Sequence, residues 1–302
     1  MSSESLLPEQ DSDRAIVAAI DGSGMSHHAA AWAAVDAALR GWSLELICSA
    51  APQTPYGPAP VVSGPGPGMM RAEGEEILAE AMRIAREATG GEPPPIATEV
   101  TVDPIIPRLI TRSEHARMLV VGSHGYGGLR GHLLGSVSSA MVYHAHCPVT
   151  VVRVSSATDA VSMRRPVLVG VDGTANSVPA VTIAFEEASL RNVGLVALHA
   201  WSDATGYDIP AAGWEAVREH EGALLSESLA GYREQYPDVP VRRIVVREHP
   251  ARSLIAESEK AQLVVLGSHG RGGFAGMLLG STSMVLTRSA LCPVTVVRHS
   301  GQ

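Results

Sequence analysis

One glycine-rich stretch occurs twice in this chain. It runs Gly122-Ser-His-Gly125-Tyr-Gly127-Gly128-Leu-Arg-Gly131-His-Leu-Leu-Gly135-Ser136 and returns as Gly267-Ser-His-Gly270-Arg-Gly272-Gly273-Phe-Ala-Gly276-Met-Leu-Leu-Gly280-Ser281, with every glycine kept at its spacing. Each copy follows a short apolar run, Met118 to Val121 or Leu263 to Leu266, and leads into a helix-forming run opened by Ser136 or Ser281. That is a strand, a loop and a helix start. Glycine lets backbone N–H groups approach an anion closely, and a helix start adds unpaired donors with partial positive charge. One such loop is equally a plain tight turn. Two matched copies predict binding of a phosphorylated ligand, a nucleotide.

The rest of the chain repeats around these loops. Ala15 to Ile20 reads as a buried strand ending at Asp21-Gly22-Ser23, and Val167 to Val171 as its counterpart ending at Asp172-Gly173-Thr174. Ser26 is the expected N-cap of the first helix, which is rich in helix formers from Ala29 to Leu39. Gly41 stands where a left-handed residue ends a helix. Ser177 and Asn192 take those two places in the second copy. Strands are expected at 44–50, 96–102, 118–121 and 148–154, and helices at 70–88, 105–115 and 136–145. Residues 51–68 are rich in Pro and Gly and read as a long loop, with 203–213 as its shorter counterpart.

A chain of 302 residues allows about two domains of roughly 150 residues. The boundaries expected are an acidic disordered tail at 1–13, a first domain at 14–154, a polar, extended linker at 155–165 and a second domain at 166–299. The net charge of −8 disfavours nucleic acid and anionic membrane as partners. The tail lacks the basic start and apolar core of a signal peptide and no apolar run is long enough to span a bilayer, so a cytoplasmic location is expected. Cys48, Cys147 and Cys292 are an odd set, and the last two share one repeat position, as buried reduced thiols do.

Strands alternating with helices at this spacing predict an α/β fold: two tandem doubly wound domains, each a five-stranded parallel sheet in the order 3-2-1-4-5 with helices on both faces. Ligands of such sheets bind beyond the C-terminal strand ends where the strand order reverses, which brings Asp21 toward the Gly122 loop and Asp172 toward the Gly267 loop.

The spacing Gly-x2-Gly-x9-Gly-Ser, the strand ends Ile20-Asp21-Gly22-Ser23 and Val171-Asp172-Gly173-Thr174, and the closing strands after Cys147-Pro148 and Cys292-Pro293 resemble the universal stress protein family in its tandem form. The resemblance covers nearly the whole chain outside the tail and linker. It implies an ATP-binding stress-response regulator with the first-strand Asp near ribose and adenine and the glycine loop around the phosphates. Carried over position by position, the nucleotide residues are Asp21, Gly122, Gly125, Gly135 and Ser136 in the first domain and Asp172, Gly267, Gly270, Gly280 and Ser281 in the second, with Ser138 and Thr282 assisting. ATP is expected with Mg2+.

Other readings are weaker on the residues. The only lysine is Lys260 and no Gly-Lys-Ser/Thr is present, which excludes a P-loop enzyme. Arg130 and Arg271 stand at non-equivalent loop positions and read as solvated side chains. Asp21 and Asp172 are candidates for a general base, a magnesium ligand, a turn former or an acceptor for ribose or adenine; the last is preferred, because no second acid or nucleophile lies nearby in sequence. No Cys/His cluster shows zinc spacing: His144 and His146 lack counterparts, and His27, His28, His124 and His269 read as loop or surface residues, so no metal site is assigned. No catalytic residue is assigned either. The alternatives are a slow adenine-nucleotide hydrolase or phosphotransferase and a non-binding scaffold. Strand five of each domain, 149–154 or 294–298, is apolar and reads as a sheet edge that invites pairing. The linker, at roughly 3.3 Å per extended residue, reaches about 36 Å. Pairing of the two domains within the chain, a homodimer through helical faces and a regulatory protein partner are expected.

Overall fold

The structure is a computed structural model that describes residues 15–51, 66–125, 134–153, 159–201, 211–271 and 278–298. The tail, most of the Pro/Gly stretch and of its counterpart, and the loop tips that carry Arg130 in one copy and Gly272, Gly273 and Gly276 in the other lie outside the described residues. The chain divides between Val152 and Arg153 into two units.

The first unit runs β1 (Ala15–Ile20), α1 (Gly24–Arg40), β2 (Ser43–Ser49), α2 (Pro67–Ala88), β3 (Ile96–Thr101), α3 (Ile105–Ser113), β4 (Met118–Gly122), α4 (Ser136–His144) and β5 (Val149–Val152). All pairings are parallel. β1 lies between β2 and β4, with Ile16 opposite both Leu44 and Met118, β3 lies outside β2 and β5 outside β4, giving the expected order 3-2-1-4-5. The second unit runs β6 (Val167–Gly170), α5 (Val178–Leu190), β7 (Leu195–Ala200), α6 (Ala211–Gln235), β8 (Val241–Val246), α7 (Pro250–Ser258), β9 (Leu263–Gly267), α8 (Ser281–Ser289) and β10 (Val294–Val297). Its order is the same, with β6 between β7 and β9.

Unbroken apolar runs explain the central strands, since a strand covered on both faces has no side left for water. β1 and β4 are buried almost throughout. Where the order reverses, right-handed crossovers send helices to opposite faces, and accordingly α1 packs with α2 while α3 packs with α4. The alanines at 29, 30, 33, 34 and 37 of α1 are fully buried, and small side chains let this helix lie close to the sheet. In the second unit Phe185 of α5 stacks on Tyr232 of α6 at 5.3 Å between ring centroids.

Several local expectations are corrected. The N-cap of α1 is Ser23 rather than Ser26: the Ser23 side chain accepts the Ser26 N–H at 3.3 Å, and the Ser26 hydroxyl donates back to the Ser23 carbonyl at 2.9 Å. The Asp-Gly turn ends so tightly that the helix starts one turn early. In the second unit Thr174 caps a short 3-10 turn at Ala175–Ser177 that feeds α5. α2 begins at Pro67, inside the expected loop, with the missing proline N–H tolerated at a helix start. The connection expected to be extended contains a 3-10 turn at Ser162–Arg164, because Asp159 Oδ1 accepts the N–H groups of Val161 and Ser162 at 3.0 and 2.9 Å. Helix ends match expectation: Gly41 has φ 63° and Asn192 φ 52°, and both turns return the next N–H to the helix, Trp42 to Ala37 at 2.9 Å and Val193 to Ala188 at 3.0 Å.

Two ion pairs are buried at equivalent places in the two units. Asp36 meets Arg40 at 3.0 Å and Glu187 meets Arg191 at 2.7 Å, with the acids 0% exposed and the arginines 6% and 4%. Removing one partner strands a charge away from water. Glu187→Ala should therefore cost about 3–5 kcal/mol in chemical denaturation of the full chain, and Glu187→Gln less; equal, near-zero changes would contradict the burial.

All three cysteines are free and buried. Burial pushes the thiols up from 9.0, Cys48 to about 11, where the charges of Asp21 and Glu73 add to it, and Cys147 and Cys292 to about 12. Folded pKa values above the unfolded ones mean that their stabilising contribution is full below pH 9 and is lost as pH rises through 11 to 12. In the folded chain at pH 8 a thiol reagent should find none of them within minutes and all of them after unfolding; rapid reaction of the native protein would refute this.

Candidate functional site

The site begins where β1 and β6 end. Gly22 and Gly173 take φ 82° and 74°, which reverses the chain after each Asp. Asp21 Oδ1 accepts the Ser23 N–H at 3.0 Å, and Asp172 Oδ1 accepts the Thr174 N–H at 2.8 Å. The Thr174 hydroxyl adds contacts of 2.8 and 3.0 Å to the Asp172 oxygens. These are Asx turns, so the turn-forming role considered for each Asp is real, and it fixes the carboxylate orientation. The other oxygen of each faces the glycine loop of its own unit. A β-carbon on Gly125 would collide with Asp21 Oδ2, and one on Gly270 would lie 3.4 Å from Asp172 Oδ2.

Each loop is tied at its base by the same bonds. The Ser123 N–H donates to the Val152 carbonyl at 2.8 Å, the Gly135 N–H to the Ser123 carbonyl at 2.8 Å, and the Ser138 hydroxyl to the Gly122 carbonyl at 2.5 Å. In the second unit Ser268 donates to Val297 at 2.7 Å, Gly280 to Ser268 at 2.7 Å, and the Ser283 hydroxyl to Gly267 at 2.7 Å. Ser138 thus ties the first turn of α4 to the end of β4, and its counterpart in this bond is Ser283 rather than Thr282. Thr282 lies half-exposed beside Ser281 in a cavity wall.

The first glycine of each loop has a reason within the protein. A β-carbon on Gly122 would lie 2.9 Å from the Met25 carbonyl carbon, and one on Gly267 would lie 2.8 Å from the Asn176 oxygen, because the opening turn of α1 in one unit, and the 3-10 turn before α5 in the other, passes over the strand end. α4 and α8 then start at extended glycine N-caps, Gly135 and Gly280, with no side-chain cap, which leaves their first N–H groups to other partners. Among the expected residues, Asp21, Gly122, Gly125, Gly135 and Ser138 meet in one unit and Asp172, Gly267, Gly270, Gly280, Ser281 and Thr282 in the other; Ser136 and Ser281 both open their helices as exposed residues.

In the second unit these groups border a cavity of about 470 Å³. Asp172, Arg271, Ser281 and Thr282 supply polar wall, and Leu198, Trp201, Leu254 and Leu266 supply apolar wall. Arg271, expected to be solvated, is an exposed side chain that also lines the cavity and lies 3.4 Å from Glu221 of α6. Behind it His199 of β7 bridges the Val171 carbonyl at 2.7 Å and Glu221 at 2.6 Å. Only a histidine inside an apolar strand could have signalled this set in the sequence; Glu221 belongs to no motif.

The universal stress protein family profile matches residues 14–153 and 163–298, and the chain belongs to that family. Two universal stress proteins of Mycobacterium tuberculosis strain H37Rv are similar along nearly their whole length. One is 41% identical over 297 residues, 96% of this chain and 98% of the relative, and the other 43% identical over 292 residues, 94% and 97%. The crystal structure of a universal stress protein from Archaeoglobus fulgidus matches 96% of this chain and 99% of its own with a TM-score of 0.63 at 21% identity, which speaks to the fold.

The glycines differ in what replaces them. Gly267→Ala meets backbone that cannot rotate away and should cost about 1–3 kcal/mol, whereas Gly270→Ala makes an ordinary contact and should cost less than about 1 kcal/mol. Thermal melts of the two variants check this, and the reverse ranking would refute the packing account.

Proposed function

We propose that each unit binds one ATP and that the chain acts as a nucleotide-dependent stress-response regulator with little or no hydrolysis. The observation that carries this reading is the convergence, repeated in both units, of an oriented Asp carboxylate, a backbone-tied glycine loop and an uncapped helix start at the C-terminal ends of the central strands. Ligands of doubly wound sheets bind at that switch point. The Asp suits the hydroxyls of a ribose or an amino group of the base, and the helix start suits phosphate. A cavity of about 470 Å³ with one polar and one apolar side is of the size that takes a small ligand.

Among the described residues no three His, Cys, Asp or Glu side chains gather to hold a metal. Mg2+ would therefore enter with the triphosphate, held by phosphate oxygens, with Asp172 as a carboxylate in the wall. Backbone donors and a helix end hold substrate and transition state alike, which lowers the energy of both and leaves the barrier in place. The homodimer and the regulatory protein partner belong to the same reading.

Calorimetry on the full chain should find two equivalents of ATP, and Gly125→Ala, which drives a methyl into Asp21, should remove one of them. Phosphate release with magnesium should stay far below roughly 10 per second, a common enzyme rate. Absence of ATP binding would sink the proposal; turnover near that rate, abolished by Asp21→Asn, would replace it with the hydrolase reading.

A further inference from the structure

The two units carry different residues at two positions of the site. Arg271 follows Gly270 directly, and its two terminal nitrogens each lie 3.4 Å from one oxygen, Oε2 of Glu221. The same oxygen lies 2.6 Å from Nε2 of His199, whose Nδ1 lies 2.7 Å from the Val171 carbonyl. This chain of contacts runs inward, with the Arg271 side chain 42% exposed, Glu221 12% and His199 2%.

Proton positions follow from which atoms can donate. A carbonyl only accepts, so Nδ1 of His199 carries a hydrogen. The contact between Nε2 and Oε2 needs a second hydrogen, on the ring or on the carboxyl. In either arrangement His199 and Glu221 together are electrically neutral. Glu221 therefore anchors the guanidinium without cancelling its positive charge. The guanidinium also covers the Asp172-Gly173 turn, where a β-carbon on Gly173 would come within 2.8 Å of it. Of its five N–H donors, one on each terminal nitrogen points to Glu221, through long contacts, which leaves three that Glu221 does not engage on a side chain that lines the cavity. In the first unit the repeat-equivalent positions of His199 and Arg271 hold Cys48 and Tyr126, neither of which offers a cation.

We propose that Arg271 is an anion-recognition residue that makes the second unit the more selective of the two for polyphosphate, with Glu221 and His199 as its positioning residues. The inference rests on the nucleotide-binding reading for the identity of the ligand but not for the presence of the anion site. A planar guanidinium held at one edge presents paired N–H groups to phosphate oxygens, a stronger contact than a neutral donor makes.

The test is calorimetry on the full chain with ATP, AMP and inorganic tripolyphosphate. Arg271→Gln should weaken ATP and tripolyphosphate at one of the two sites by on the order of ten- to a hundredfold while AMP changes by less than about threefold. Arg271→Lys should recover part of the loss. Glu221→Ala should reduce the ATP-to-AMP preference of that site, and Glu221→Gln, which still accepts from the guanidinium, should reduce it less. Equal weakening of ATP and AMP by Arg271→Gln, or no weakening of either, would overturn this inference and leave nucleotide binding intact. Tripolyphosphate bound through Arg271 by a chain that does not bind ATP would uphold the anion site and sink the nucleotide reading. A wild-type chain that binds neither would end both.

Discussion

Everything at the site depends on how closely the turn that opens or feeds the first helix crosses the end of the fourth strand. At Gly122 and again at Gly267 the crossing brings backbone to within the reach of a single methyl group. That approach lets α1 and α5 lie flat on the sheet and keeps the Asx turns of Asp21 and Asp172 beside the glycine loops. Hydrogen bonds from Ser138 and Ser283 to the same glycine carbonyls hold the far side of the crossing. Without it, the carboxylate and the helix start would still exist but would not face one another.

This puts the signature glycines in a different light. Three reasons for glycine coexist in one motif: a backbone crossing at its first position, room beside an Asp carboxylate at its second, and an extended N-cap next to the Ser123 or Ser268 carbonyl at its third. In the second unit all three border the cavity, and the first is at the same time the point where backbone crosses backbone. A motif that looks like a binding fingerprint is thus partly a packing fingerprint, and the two functions are inseparable because the packing shapes the pocket.

The sheet order, the pairing of each Asp with its loop and the helix ends at Gly41 and Asn192 were legible in the sequence because each follows from local chemistry repeated twice. Apolar strands, Asp-Gly turns and left-handed helix ends leave direct marks. What was not legible depends on partners distant in sequence. Asp36 with Arg40 looks like a solvated helix pair until the sheet buries it, since an acid four residues before an arginine is the usual pattern of an exposed face. Glu221 becomes part of the site only when α6 crosses β7, and by the same event Arg271, still exposed, gains a partner at the cavity wall. Ser26 failed as a cap because the competing hydroxyl, Ser23, lay three residues earlier in an equally polar turn.

The buried pairs also say something about divergence. Asp36–Arg40 and Glu187–Arg191 occupy the same place in two halves of one polypeptide, so the molecule carries its own natural substitution, an acid lengthened by one methylene with its partner unchanged. What the two halves share is opposition of charge between two positions one helical turn apart, whereas the acidic position taken singly has drifted. A comparison that scores residues one at a time would pass over this feature, and one that scores positions in pairs would find it.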